Sequence, residues 1–292
     1  LFTEKEVSNR INMWLDTTNR KPTKRNNRKR SCNRMNQNEF NPIGIDSQLD
    51  WPRIRKLLSI GLFAAILTLI GDMMIGWGIQ DETQSGLIRM FSAYRHAENS
   101  TLFAAALLGM FGIFLEGLSY FGIYRLMAEK SSKHAHNFRT GIIGYIVFGP
   151  CGFHVPICMM LFLYRSLTEA GAENVLETVE QFADYFIAPS LILFWIFFLI
   201  LEGTQISAFL KGKTPYPKWC FVFSLPVGML IAKLFNIFGN HAFINAIDCA
   251  WISVGNIWMF AGLLLMMKKV PLTAAPSGSA DNLCRNSSYH PR

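Results

Sequence analysis

The chain is poor in charged residues: Asp, Glu, Lys and Arg make up 16% of its 292 residues, whereas soluble domains average about 25%. The charges that are present are concentrated at the termini and between long apolar stretches. Hydrophobic residues make up 51% of the chain. This composition argues against an ordinary soluble domain and indicates an integral membrane protein.

Paired cysteines and familiar catalytic motifs are also missing from the sequence. The six cysteines form no Cys-x-x-Cys pair and no regular spacing, so neither a disulfide framework nor a zinc finger is predicted. The sequence contains no Gly-x-Ser-x-Gly or Walker A motif. We therefore expect no cofactor and no bound metal, and the motifs do not decide whether the protein is an enzyme.

The net charge of +8 has a local origin. Much of the lysine and arginine lies before residue 57, including the run Lys24–Arg30. The excess therefore belongs to one tail and one membrane face, and a nucleic-acid partner is not expected. Residues 1–50 have too few apolar side chains for a core and are predicted to be disordered, as are residues 270–292. Met35 would be a more ordinary first residue than Leu1, so residues 1–34 are either native tail or extraneous sequence.

Six apolar segments are each long enough to cross a bilayer as a helix, which takes about 20 residues. They cover residues 57–79, 102–127, 141–164, 186–210, 219–238 and 242–267. The predicted fold class is all-α, a polytopic membrane protein in which residues 51–269 form one six-helix transmembrane bundle. Its expected surroundings are membrane lipid, and the sequence does not indicate an oligomeric state.

The loops between these segments alternate in charge. Lysine and arginine precede the first segment and follow the second, fourth and sixth, whereas the loop after the third carries four glutamates and an aspartate. Positively charged loops stay on the cytoplasmic side, so both termini are predicted to be cytoplasmic. Within the acidic loop, residues 172–186 have apolar side chains at helical spacing and predict an amphipathic surface helix.

Several ionisable side chains lie inside the predicted spans, where each costs about 2.5–3.5 kcal/mol. Asp72, His154, Lys233 and Asp248 have depths compatible with one shared layer, from a rise of about 1.5 Å per residue. Polar partners recur at helical spacing in the last two spans: Asn236 and Asn240 with Lys233, and Asn245, Ser253 and Asn256 with Asp248. These stripes predict a polar cavity that opens outward. Alternatively, Asp72 and Lys233 form a structural ion pair.

A second pair of carboxyls lies deeper. Glu116 and Glu202 occur in a repeated Leu-Glu-Gly sequence at similar points of the second and fourth spans. The repeat is either a relic of duplication or a coincidence, and the two side chains are candidates to share a proton. Pro150, Pro156 and Pro226 are predicted to interrupt the third and fifth spans, beside His154 and before Lys233.

Several short motifs resemble an uncharacterised bacterial family of six-helix membrane proteins, a domain of unknown function. They are Gly71-Asp72 with Gly76-Trp77, Phe153-His154-Val155, Lys211–Trp219, and Lys233 with Asn236. The resemblance covers about residues 57–268. It implies the fold class and a location in a bacterial plasma membrane, and it brings no activity or substrate.

Three functions remain open. In the first, a cavity built around Asp72, His154, Lys233, Asn236 and Asp248, with Asn240 and Asn256 nearby, binds or moves a small polar or lipid-headgroup ligand. Lys233 would hold an anionic group, and His154 or Asp72 would handle a proton. In the second, the protein is a hydrolase-like intramembrane enzyme with His154 as general base and Asp72 orienting it. In the third, the buried charges only pair and hold the helices together.

Overall fold

The computed structural model describes residues 49–93 and 98–267, which form helices and connecting turns. The predicted tails and their disorder lie outside these residues. The α-helices are α1 Trp51–Gly76, α2 Gly86–Ser92, α3 Asn99–Ala128, α4 Ser132–Gly149, α5 Val155–Glu169, α6 Val175–Phe182, α7 Ala188–Leu210, α8 Leu225–Leu234, α9 Ala242–Cys249 and α10 Trp251–Met267. Two π-helical turns, Pro150–His154 and Ala183–Ile187, join α4 to α5 and α6 to α7. The described residues form no strand, in agreement with the all-α prediction.

Four continuous helical stretches are long and apolar enough to cross a membrane: Trp51–Gly76, Asn99–Ala128, Ser132–Glu169 and Val175–Leu210. Less than 40% of each apolar stretch is buried inside the protein, and side chains such as Phe63, Phe103 and Leu199 are more than half exposed. Such a large exposed apolar surface is typical of contact with lipid. Predicted spans one to four coincide with these stretches.

The last two predicted spans are broken. In the fifth, a 3₁₀ turn at Lys218–Phe223 precedes α8, which has only ten residues and ends in another 3₁₀ turn, Phe235–Phe238. In the sixth, α9 and α10 meet at an angle of 69°. Counting that bent pair as one span gives five candidates among the described residues. The six-span count is therefore not confirmed.

Proline explains the break between α4 and α5. Proline has no N–H to donate and clashes with the preceding turn, and Val155 donates its N–H to Pro150 O, five residues back. Pro156 leaves the carbonyl of Gly152 without its helical donor, and Ser190 Oγ on α7 donates to that carbonyl at 2.5 Å. This bond satisfies a polar group that could find no water in lipid. The predicted interruptions at Pro150 and Pro156 take the form of a π turn inside one continuous helical stretch, whereas Pro226 lies in the first turn of α8.

The amphipathic helix predicted at residues 172–186 is present as α6, with Val179 buried. It does not end as a separate surface helix, because the π turn Ala183–Ile187 carries it directly into α7. Pro189 lies in the first turn of α7 and accounts for this irregularity. The helical stretch that contains the fourth predicted span therefore begins before the apolar segment, at Val175.

Helices α1 and α3 form the most extensive helix pair of the bundle. Small residues make this possible: a Cβ added at Gly112 would lie 2.2 Å from Thr68 Oγ1, and one at Gly71 would lie 3.0 Å from Ala105 O. Close approach through small residues is usual between membrane helices. It brings the C-terminal part of α1, which carries Asp72, against the N-terminal part of α3.

Candidate functional site

A polar site forms where α1, α3, α10 and the first π turn meet. Asp72 on α1 accepts from Ser253 Oγ on α10 at 2.5 Å, and its other oxygen lies 3.1 Å from His154 Nδ1. His154 ends the π turn and is 4% exposed, and Asp72 is 14% exposed. The π turn therefore directs the imidazole into the bundle instead of toward lipid.

The second nitrogen of the imidazole is held by the backbone. His154 Nε2 lies 3.0 Å from the carbonyl oxygen of Ala105. A carbonyl can only accept, so Nε2 is the donor in this contact, and Nδ1 faces the carboxyl of Asp72. The ring lies against Gly109, where an added Cβ would be 2.0 Å from Nε2. Only glycine leaves room for this ring.

A second hydrogen-bonded group lies next to the first. Glu116 Oε2 accepts from Tyr145 OH at 2.6 Å and from Asn256 Nδ2 at 2.8 Å. Asn256 Oδ1 in turn accepts from Tyr120 OH at 2.5 Å. Glu116, Tyr120 and Asn256 are fully buried. Glu116 Oε1 makes no close hydrogen bond among the described residues, and the side chain of Thr68, which lines the same cavity, interacts with this carboxyl.

A cavity of about 70 Å³ joins the two groups. Its polar walls are formed by Asp72, His154, Ser253, Glu116 and Tyr145. A water molecule takes about 30 Å³ in the liquid, so the cavity has room for about two waters or for a solute of similar size. The orphan oxygen of Glu116 is the polar group that such an occupant would satisfy.

Lys233 belongs to a separate cluster. Its Nζ donates to Asp248 Oδ1 at 2.6 Å, and Asn236 Nδ2 donates to the same oxygen at 2.6 Å. The Lys233 and Asp248 side chains are 39% and 35% exposed. Lys233 Nζ also lies 4.7 Å from the centre of the Trp251 ring, and Trp251 lines the 70 Å³ cavity. The cluster therefore borders the cavity and contributes none of its charged walls.

Asn240 and Asn245 bind the segment that follows α1. Asn240 exchanges two hydrogen bonds with the backbone of Gln80, at 2.6 and 3.2 Å, and Asn245 donates to Gly78 O at 2.7 Å. Gly239 precedes Asn240 with φ +88°, a conformation that favours glycine. Both asparagines therefore hold the end of α1 to the turn before α9.

Glu202 and Gln205 are buried on α7, where the backbone N–H of Leu225 interacts with the Glu202 carboxyl. Glu202 is 3% exposed, Gln205 is 0% exposed, and none of their four polar side-chain atoms makes a close hydrogen bond in the described part of the chain. Ser224 Oγ, just before α8, is also buried and makes no hydrogen bond with the described residues.

Glu116 and Glu202 form no hydrogen bond with each other, and their Leu-Glu-Gly sequences differ in environment. A Cβ at Gly117 would lie 2.3 Å from Ile146, whereas Gly203 faces open space.

The structure thus divides the predicted site. Asp72 lies against His154, whereas Lys233 forms its ion pair with Asp248. The predicted structural ion pair between Asp72 and Lys233 therefore does not form. Asn256 belongs with Glu116 because the 69° bend before α10 separates it from Asp248.

Sequence reasoning missed Tyr120 and Tyr145, which carry no signal beyond being polar aromatics in an apolar helix. Among the described residues, no group of three His, Cys, Asp or Glu side chains is placed to hold a metal ion.

The sequence pattern of a family of unknown function (DUF6796) matches residues 35–270. The match covers most of the chain, so the chain belongs to this family. No curated protein and no solved structure matches it. The predicted membership of an uncharacterised family is confirmed, and the membership adds no activity, ligand or partner.

Proposed function

We propose that this protein is a multi-pass membrane protein that binds or moves a small polar ligand through the cavity between Asp72, His154 and Glu116. One observation carries the proposal: the buried Asp72–His154 contact and the buried Glu116 carboxyl line the same small cavity. Ionisable groups inside a membrane usually mark a ligand or proton path. The cavity volume of about 70 Å³ favours a ligand of a few heavy atoms or the end of a lipid headgroup.

Hydrolysis is the second candidate, because Asp72 contacts His154 as an orienting carboxylate would. Two contacts weigh against it. A serine nucleophile needs its hydroxyl on the base, but Ser253 donates to Asp72. The nitrogen that would act as general base faces Ala105 O. An enzyme of this kind would need His154 to turn away from that carbonyl, so ligand binding is the better-supported function.

Thermal unfolding of the detergent-purified protein tests the proposal with a panel of small solutes: ammonium, formate, glycine, ethanolamine and phosphoethanolamine. A bound solute stabilises the folded state, by about 2.7 kcal/mol at 100 times Kd. We expect at least one solute to raise the Tm of the wild type and to lose this effect in Glu116→Gln. Lys233→Met, outside the cavity, is the control and should keep the effect. The proposal fails if no solute raises the Tm, or if Glu116→Gln responds as the wild type does.

We further propose that six segments cross the membrane with both termini in the cytoplasm. The helical stretch Leu225–Phe238 spans roughly 23 Å, at about 1.5 Å per α-helical and 2.0 Å per 3₁₀ residue, and the turn Lys218–Phe223 adds roughly 12 Å. Together they are long enough for a core of about 30 Å. The basic residues before the turn support its cytoplasmic placement.

Labelling with a membrane-impermeant maleimide distinguishes this topology from a re-entrant loop. Lys211 and His241 flank the broken fifth segment and are both exposed. On intact cells, His241→Cys should be labelled and Lys211→Cys should react only after the cells are opened. Labelling of both from one side would mean that the fifth segment does not cross, and the reverse pattern would invert the orientation.

A further inference from the structure

The buried polar groups continue beyond the cavity, toward the end of the bundle that carries Lys211. Tyr120 packs edge-on against Phe138 of α4, with ring centres 6.1 Å apart. One turn further along α4, Gly141 lies so close to α7 that a Cβ there would be 2.7 Å from Leu201 Cα. Glu202 is the next residue, so its depth in the bundle is that of Tyr120.

Two buried carboxyls, those of Glu116 and Glu202, lie beside the hydrogen-bonded group formed by Tyr120, Tyr145 and Asn256. Glu116 lines the cavity together with Asp72 and His154, and Glu202, on α7, is a neighbour of Tyr120. Between them, Asn256 receives Tyr120 OH on its amide oxygen and contacts Glu116 and Tyr145 through its amide nitrogen. Gln205 and Ser224 supply further buried polar side-chain atoms, and the backbone N–H of Leu225 interacts with the Glu202 carboxyl.

Asn256 interrupts what would otherwise be a line of exchangeable protons. A hydroxyl can accept a proton on its oxygen and release its own, and a carboxyl can do the same. A carboxamide holds its hydrogens on nitrogen and does not release them under ordinary conditions. The Glu116–Tyr145 hydrogen bond at 2.6 Å can pass a proton, but the bond from Tyr120 to the amide oxygen cannot carry it further.

We infer that Asn256, with Tyr120 and Tyr145, is a closed gate between two proton-binding carboxyls, Glu116 on the cavity side and Glu202 on the other, and that the protein moves protons between the two faces of the membrane when this gate opens. The inference rests on the proposed function and names its coupling ion. In each passage one proton enters at the cavity, protonates Glu116, reaches Glu202 and leaves on the opposite side, so that no group is consumed.

Proton flux into liposomes tests the inference. The full-length protein is reconstituted with a pH-sensitive dye inside, a pH step is applied outside, and potassium with valinomycin balances charge. The wild type, with its gate closed, should conduct little. Asn256→Asp keeps the size of the side chain and supplies an exchangeable proton, so it should raise the flux at least tenfold over the wild type. Asn256→Gln keeps the amide and should not.

The same measurement checks the two carboxyls. Adding Glu202→Gln or Glu116→Gln to Asn256→Asp should return the flux to the wild-type level, whereas adding Lys233→Met should not. Asn256→Ser provides a second opening variant, because a serine hydroxyl leaves room for water and exchanges its proton. The inference is overturned if folded Asn256→Asp and Asn256→Ser both conduct like the wild type, or if the flux survives Glu202→Gln. If a solute binds but neither Asn256 variant conducts protons, the gate is refuted and the proposed ligand binding stands. If the Asn256 variants conduct protons but no solute binds, the proposed ligand binding is refuted and the gate stands.

Discussion

The contact between Asp72 and His154 gives the sharpest energetic prediction. Breaking a buried ion pair by removing one partner costs about 3–5 kcal/mol, whereas a neutral hydrogen bond between membrane helices contributes about 0.6 kcal/mol and at most about 1.7. Asp72 and His154 are 14% and 4% exposed, and their atoms lie 3.1 Å apart. We therefore expect Asp72→Asn and His154→Gln each to destabilise the protein by about 3 kcal/mol.

A double-mutant cycle separates pairing from other losses. The double variant should be little less stable than either single variant, which gives a coupling free energy of about 3 kcal/mol in equilibrium unfolding with mixed detergent micelles. Side chains that share no contact are additive within about 0.5 kcal/mol, and Asp72→Asn with Lys233→Met is the control. A coupling below about 2 kcal/mol for Asp72 and His154 would mean that they form only a neutral hydrogen bond. A larger coupling between Asp72 and Lys233 would refute the pairing that the structure shows.

Two further predictions concern neighbours of this pair. Gly109→Ala should lower the free energy of unfolding by about 1–3 kcal/mol, the usual cost of overpacking, because the added methyl meets the His154 ring; Gly203→Ala, with nothing within 4 Å, should be nearly neutral in the same unfolding assay. Lys233→Met should cost only about 1 kcal/mol, since its ion pair is more than a third exposed and such pairs contribute about 0–1 kcal/mol. A loss above about 3 kcal/mol would mean that Lys233 supports the buried site.

The first four spans could be predicted because their signal is local. Each is a run of apolar residues long enough to cross lipid, and the breaks in the third span coincide with Pro150 and Pro156, whose missing N–H is visible in the sequence. The bend between α9 and α10 could not be predicted in this way. Its residues, Cys249 and Ala250, are compatible with a continuous helix, and no proline or glycine marks the position.

That bend also explains why the residues of the predicted site lie in separate clusters. Asp248 and Asn256 share a face only if the helix is straight, and the 69° change of direction places them in different clusters. Depth in the membrane follows from sequence position, so Asp72 and His154 were correctly assigned to one layer. Rotation about the helix axis does not follow from it, and this rotation decides that Lys233 meets Asp248 instead of Asp72.

Charge balance separates the two kinds of buried group in this bundle. His154 and Lys233 each lie against an aspartate, at 3.1 and 2.6 Å, so both clusters can hold opposite charges without a net charge in the membrane. Glu116 and Glu202 form no ion pair within the described ranges, and each retains at least one orphan oxygen. A structural role would be served as well by glutamine, or by an apolar residue of similar size. Two buried carboxyls without a cationic partner are better explained by exchange than by packing, and Glu116→Gln and Glu202→Gln should therefore alter binding and flux more than stability.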